Sequence, residues 1–251
     1  YKAHGDFAQR NFGKALDWHS HQSQVDDRVR GEVCTHYLFD PDCAKRIKRS
    51  FPDVKLFAIL RNPVDRAFSQ YNMERYKTAK ERRPLMQIVR DEPDNEILMR
   101  GMYFQQLVPF MELFGPDQIR AYLFEDMISD PASFFADLYT FIGVDPGFMP
   151  SVTNRRVNSS RRARFPLVTK GIRFTRRSLE TLGLRSVVRS LIHVGAGRWI
   201  RNFNTRYNHI PVDFELSPGD RLALQEVYLP DIERLETLIA RDLRAWKHGS
   251  S

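Results

Sequence analysis

Cysteine is scarce in this sequence. Cys34 and Cys43 are its two cysteines in 251 residues, too few and too close to form the disulfide framework of a small secreted domain. No Cys/His cluster has zinc-ligand spacing, and no metal is expected. A reducing compartment is the simpler inference, and a cytoplasmic location follows from it as an expectation. No apolar run reaches about eighteen residues, so a transmembrane helix is not expected, and no signal peptide is visible. The Gly-x-x-x-x-Gly-Lys-Ser/Thr loop is missing, which disfavours a kinase of the phosphate-loop type. No recognised nucleic-acid motif is present, so nucleic acid is not an expected partner. Repeats and low-complexity tracts are absent too. The chain begins at Tyr1 rather than Met, which leaves room for an upstream piece.

What is present is ordinary in bulk and uneven in charge. Hydrophobic residues make up 42% and charged residues 28%, normal for a globular protein. The length suits one large α/β domain, and we read 1–251 as a single domain. The formal net charge is +8, which favours an anionic partner such as a nucleotide, an acidic glycan or a membrane surface. Between Arg155 and Arg206 there are fourteen Lys/Arg and one acid, Glu180. A solvated basic face is the plainer reading of such a stretch. With Val187, Val188, Leu191, Ile192 and Trp199 among its arginines, it can instead rest on a membrane surface, hold an acidic glycan or cover a sheet.

Strands alternate with helices along the chain. Gly31 to Phe39 reads as a short strand, and a helix over Asp42 to Ser50 follows Pro41. Lys55 to Leu60 is an apolar run bounded by turn signals, which suits a buried parallel strand. Asn62 can cap the next helix, with Pro63 at its first position. That helix carries Val64, Ala67, Phe68 and Tyr71 at helical spacing. A helix over Ile97 to Leu113 ends at Gly115-Pro116, and Ile119 to Phe124 reads as a second buried strand. Asp130-Pro131 starts a helix through Phe141 that Gly143 ends. Residues 150–166 read as a basic loop, and 167–203 as two basic amphipathic helices; we take 167–210 as a basic helical insert. The last helix, Pro218 to Trp246, carries an apolar stripe that includes Leu222, Leu224, Leu229, Ile232 and Leu235. The fold class is α/β, a parallel sheet flanked by helices.

The segment KLFAILRNPVDRAFSQY, Lys55 to Tyr71, carries the functional argument. In open α/β sheets ligands bind beyond the carboxyl ends of the strands, and Arg61 sits at such an end. Its guanidinium can hold a phosphate with two parallel hydrogen bonds. The helix start at Pro63 offers free N–H groups and a positive dipole end nearby. Ser69, one turn further on, has a hydroxyl that can reach the same anion. An arginine after a strand is also often just a surface ion pair.

The same segment resembles the 3′-phosphate-binding segment of sulfotransferases that use 3′-phosphoadenosine-5′-phosphosulfate (PAPS). The pattern resembles that of bacterial carbohydrate and heparan-sulfate-type members. Other segments match in order: GKALDWHS, YLFDPDCAKRIKRSFPDVKL, GMYFQQLVPFMELFGPDQIRAYLFEDMISDP, VNSSRRARFP and VYLPDIERLETLIARDLRAW. The resemblance implies the phosphate-loop-like fold of that family, with PAPS as donor and no metal. Arg61 and Ser69 would bind the 3′-phosphate, Arg66 would support the loop or pair with an acid, and Arg162 with Ser160 and Arg161 would belong to the late cofactor loop. The acceptor implied is a hydroxyl of a carbohydrate or glycolipid, acidic or neutral. A catalytically inactive module that binds 3′-phosphoadenosine-5′-phosphate (PAP) or a glycan is the alternative.

Three departures from the family pattern bear on activity. Its first strand and Gly-Thr-Thr loop, which holds the 5′-phosphosulfate, have no counterpart between Tyr1 and Gly31; truncation is the expectation, true loss the alternative. Ala3 stands where the family often has Glu, and Val33 where it often has Lys. Transfer to a hydroxyl needs a base within hydrogen-bond reach. His4 is the first candidate, then Glu32 or His36, each with a structural role as the alternative. Glu125 and Asp126 end the second strand on the ligand side, where capping a helix is an equal reading.

Overall fold

The computed structural model describes residues 29–78, 80–150, 161–163, 209–211 and 215–248. Of these, 29–67, 86–150 and 217–248 gather into one compact unit, and 68–78, 80–85, 161–163, 209–211 and 215–216 fall in a second.

The first unit opens with a turn rather than the strand expected over Gly31 to Phe39. Backbone N–H groups of Tyr37 and Asp40 donate back to Cys34 and His36 carbonyls at 3.3 and 3.2 Å. Asp40 stands at the end of this turn. It is buried, accepts from the Asp42 N–H at 3.0 Å and pairs with Arg46, so its carboxylate ties the turn to the helix that follows. That helix, α1 (Cys43–Ser50), buries Cys43, Ala44 and Ile47. These three pack with Phe110, Phe114 and Ile119.

Strand β1 (Leu56–Leu60) runs parallel to β2 (Ile119–Leu123), in register from Leu56 opposite Ile119 to Leu60 opposite Leu123. The apolar run is buried on one face only. Leu60 is 1% exposed, whereas Phe57 and Ile59 on the alternate face are 37% and 41% exposed. After β1 comes α2 (Pro63–Asn72). Asn62 caps it as expected, its Oδ1 accepting from Val64 N–H at 3.0 Å.

Two short helices, α3 (Leu85–Asp91) and α4 (Glu96–Met99), precede α5 (Tyr103–Leu113). The single helix expected over Ile97 to Leu113 is therefore broken at Arg100–Met102. Packing at the break is close. A Cβ on Gly101 would stand 2.7 Å from Cε1 of Tyr228, and Tyr228 is fully buried. Strand β2 passes directly into α6 (Phe124–Ser129), so Phe124 is helical rather than the end of the strand. Helix α7 (Pro131–Ile142) follows the sequence rules closely: Asp130 caps it by accepting from Ser133 N–H, Pro131 stands at its start, and Gly143 closes it at φ 79°.

The C-terminal segment is two helices where one was expected. Helix α8 (Pro218–Ile239) ends at Ala240, which takes φ 49°, and α9 (Arg244–His248) follows. Leu224, Tyr228, Ile232 and Leu235 form the buried stripe of α8, while Leu222 and Leu229 are 61% and 37% exposed. Spacing explains the error: at 3.6 residues per turn, residue 222 lies roughly opposite 224, so one stripe cannot hold both. Helix α8 packs along α5. Each fully buried Leu or Ile here contributes about 1.5–3 kcal/mol of transfer free energy. Helices thus flank a parallel sheet, and the class is α/β.

The second unit holds the end of α2, a π-helix over Met73–Thr78, and β3 (Arg161–Ala163) antiparallel to β4 (His209–Pro211). The region read as a basic loop, 150–166, therefore contains a strand. Tyr71 Oη and Arg75 donate to the Arg83 carbonyl at 3.0 and 2.9 Å, which folds the chain back after the π-helix. The helices expected over 167–203 lie outside the described residues. Among the described residues no helix is long and apolar enough to cross a membrane.

Candidate functional site

The site begins with one peptide unit at the carboxyl end of β1. The Arg61 carbonyl accepts from Tyr103 Oη at 3.0 Å. The Asn62 N–H, on the other side of the same peptide, donates to Glu125 Oε1 at 3.0 Å. Tyr103 is the first residue of α5, and Glu125 the second of α6. The loop after β1 is thereby fastened to the elements on either side of β2.

The Arg61 guanidinium stands over the Phe124 ring, 5.5 Å from its centroid. Among the described residues it has no carboxylate or hydrogen-bond partner, and it is half-buried. A guanidinium backed by an aromatic face and left without a counter-ion suits a bound anion. The sequence reading also assigned the anion free N–H groups of the next helix, and the structure corrects this. Pro63 has no N–H, Asn62 Oδ1 takes those of Val64 and Asp65, and the Asn62 carbonyl takes that of Arg66. Of these groups the Arg61 guanidinium is the one left without a polar partner among the described residues.

Beneath Arg61 lies a buried polar network. Tyr103 is 5% exposed, and burial drives its phenol well above the ordinary range. Asp231, on α8, accepts from Phe104 N–H at 3.1 Å. It supplies the cap that α5 lacks at its own N-terminus. Burial raises its carboxyl, and the backbone N–H groups of residues 103–105 pull the other way. Arg66 reaches the Ile97 carbonyl and hydrogen-bonds Tyr228, which ties α2 to α4 and α8. Tyr228 donates to the Leu98 carbonyl at 3.0 Å, and burial pushes its phenol up to about 12.

The other sequence-derived candidates fall in several places. Ser69 is exposed on the second turn of α2, in the second unit. Arg161 and Arg162 lie on β3, which packs in that unit against the π-helix continuing α2. His4 and Ser160 lie outside the described residues. Glu32 is exposed, and its carboxylate accepts from Tyr37, whose phenol is raised by burial first and by this bond second. His36 Nδ1 faces the Arg100 guanidinium at 2.8 Å. An arginine can only donate, so Nδ1 is the acceptor and the ring proton sits on Nε2. Asp126 pairs with Arg241 at 2.8 Å. Among the described residues no group of three His, Cys, Asp or Glu is arranged to hold a metal ion.

Sequence reasoning found Arg61 and Asn62 but gave no role to Tyr103, Phe124 or Asp231. Glu125 was noticed for its place at a strand end, which is where its partner, the Asn62 N–H, lies. Nothing in the local pattern of α8 marks Asp231, since its partners are more than a hundred residues away in the chain.

Comparison with known proteins places the chain in a family. Residues 33–178 match the family described as "Sulfotransferase domain". The chain is 23% identical over 157 residues to bifunctional heparan sulfate N-deacetylase/N-sulfotransferase 3 of Mus musculus, covering 57% of this chain and 18% of that protein. It is 24% identical to N-deacetylase/N-sulfotransferase 4 of the same species over the same shares. The match thus spans less than a fifth of these relatives' length. A crystal structure of a sulfotransferase from Alicyclobacillus acidocaldarius superposes with a TM-score of 0.59 at 25% identity, over 91% of this chain and 74% of that one.

Proposed function

The chain belongs to the sulfotransferase family, and on that premise we propose that it moves a sulfuryl group from PAPS to a hydroxyl of a carbohydrate or glycolipid. The observation that carries the donor half of this reading is Arg61: a half-buried guanidinium at the carboxyl end of β1, stacked on Phe124 and without a counter-ion among the described residues. It fits the 3′-phosphate of the nucleotide. Ser69 on the following helix is proposed to join it, and Ser160, Arg161 and Arg162 to wrap the nucleotide from the late loop.

In the reaction the bond between sulfur and the bridging oxygen of the phosphosulfate breaks as the acceptor oxygen bonds to sulfur. The acceptor proton passes to a base and PAP leaves. His4 is the proposed base, with Glu32 the second candidate; a positioned base of this kind is worth about 10²–10⁴ in rate. The glycan half rests on the relatives, whose names state that they are heparan sulfate N-deacetylase/N-sulfotransferases; the choice of a hydroxyl as acceptor is our own proposal. We read 1–251 as one such domain with 167–210 as an insert, located in the cytoplasm with the basic insert available for a membrane surface.

A thermal-shift titration with PAP tests the donor half. PAP should raise the melting temperature of the parent and leave Arg61→Ala unmoved; no shift in the parent would sink the reading. A second reading, a PAP- or glycan-binding module without turnover, draws on Val33. This apolar residue is 87% exposed where the family often places Lys. Sulfate transfer from PAPS to a heparan-type acceptor separates the two, since only the enzyme turns over.

A further inference from the structure

We infer that Tyr103 and Glu125 are positioning residues that set the aim of Arg61 by holding its peptide unit from both sides. The inference rests on the reading of Arg61 as the anion clamp and goes beyond it by assigning what makes the clamp rigid. A peptide group is planar, so an acceptor bond at its carbonyl and a donor bond at its N–H together fix the orientation of the whole plane. Here the carbonyl of residue 61 is held by Tyr103 Oη and the N–H of residue 62 by Glu125 Oε1, each at 3.0 Å. With the plane fixed, the torsions on either side of it, ψ of Arg61 and φ of Asn62, lose their freedom. The direction in which the Arg61 side chain leaves β1 is then set before any ligand arrives.

Three further features support the arrangement. Phe124, next to Glu125, lies under the guanidinium, so the first two residues of α6 fix both the backbone and the head of the same arginine. Tyr103 is itself immobilised: it is 5% exposed, and Asp231 holds the N–H of the residue after it. The Asn62 side chain is committed to capping α2, which ties the far side of the same loop to a helix. Preorganisation of this kind lowers the ordering that binding must impose. Glu125 also brings a negative charge near the proposed anion, an electrostatic penalty that a purely attractive site would not carry. Its presence there makes sense if its backbone contact is the function.

The test compares variants whose charge at position 125 is the same. Glu125→Gln keeps an acceptor oxygen for the Asn62 N–H, and Glu125→Ala removes it. Glu125 is exposed, so both should fold. Tyr103→Phe removes the other bond and keeps the ring. By calorimetry, PAP should bind Glu125→Ala about 3- to 10-fold more weakly than Glu125→Gln, and Tyr103→Phe should lose a similar factor against the parent, as expected for one hydrogen bond each. Adenosine 5′-phosphate, which lacks the 3′-phosphate, should bind all of these equally; a merely structural defect would weaken both nucleotides together. Equal PAP affinity for the Ala and Gln variants, with Tyr103→Phe unchanged, overturns the inference. Arg61→Ala in the same series separates the two claims: if it binds PAP like the parent, the reading of Arg61 fails, whatever the other variants do.

Discussion

Replacing Gly101 with alanine puts a methyl group into space already filled by Tyr228. The added Cβ would lie 2.7 Å from Cε1, 2.9 Å from Cζ and 3.0 Å from the hydroxyl oxygen of that ring. Non-bonded carbons settle at about 3.5–4.0 Å, so the ring must retreat by about 1 Å. It has nowhere to go easily, since it is fully buried and its hydroxyl is bonded to the Leu98 carbonyl at 3.0 Å. Overpacking of this kind costs about 1–3 kcal/mol, and straining a buried hydrogen bond adds about 1 kcal/mol. The stiffer unfolded chain returns about 0.4–1 kcal/mol. The expected loss is about 1–3.5 kcal/mol. Urea unfolding should show it as a lower midpoint at unchanged slope. In a Tyr228→Leu background the ring end is gone and the same substitution should lose less than about 1 kcal/mol, because the two effects share one contact. A Gly101→Ala protein within about 0.5 kcal/mol of the parent, a shift within the noise of a surface change, or an equal loss in both backgrounds, would refute the reasoning.

Two other outcomes follow from single residues. Ala240 closes α8 at φ 49°, a conformation that costs an L-residue about 1–2 kcal/mol, so Ala240→Gly should stabilise by about 0.5–1 kcal/mol after glycine's own entropy is subtracted; a destabilised variant in thermal or urea unfolding would contradict that. Burial raises the Asp231 carboxyl above its ordinary value of 3.8. The folded state therefore binds this proton more readily than the unfolded state, and the residue's contribution to stability falls as pH rises from 3.8 through the folded value. The stability of the parent relative to Asp231→Asn should accordingly shrink as pH rises above 3.8; a gap that widens with pH would show the sign to be wrong.

The sequence made local features legible and long-range ones invisible. The Asn62 and Asp130 caps, Pro63 and Pro131 at helix starts, and Gly143 at a helix end are set by neighbours in the chain, and each stands where its side chain predicts. The strand expected over Gly31 to Phe39 is a turn instead, ending at Asp40, whose carboxylate is held by Asp42 N–H and Arg46. The need for glycine at 101 depends on Tyr228, and the cap of α5 on Asp231; both partners lie more than a hundred residues away, beyond any local pattern. The candidate site divides in the same manner. Arg61 is readable because a strand, an arginine and a capped helix follow one another in the chain. Its supports, Tyr103, Phe124 and Glu125, converge on it only through the parallel pairing of β1 with β2. The helix N–H groups assigned to the anion failed for a local reason, since the asparagine that starts the helix consumes them itself.

The most direct test of the central claim is a crystal structure of the protein with PAP. The account predicts the 3′-phosphate within hydrogen-bond distance of the Arg61 guanidinium, at the carboxyl end of β1 and above Phe124. A nucleotide bound with its 3′-phosphate elsewhere, and Arg61 free of it, would contradict the account.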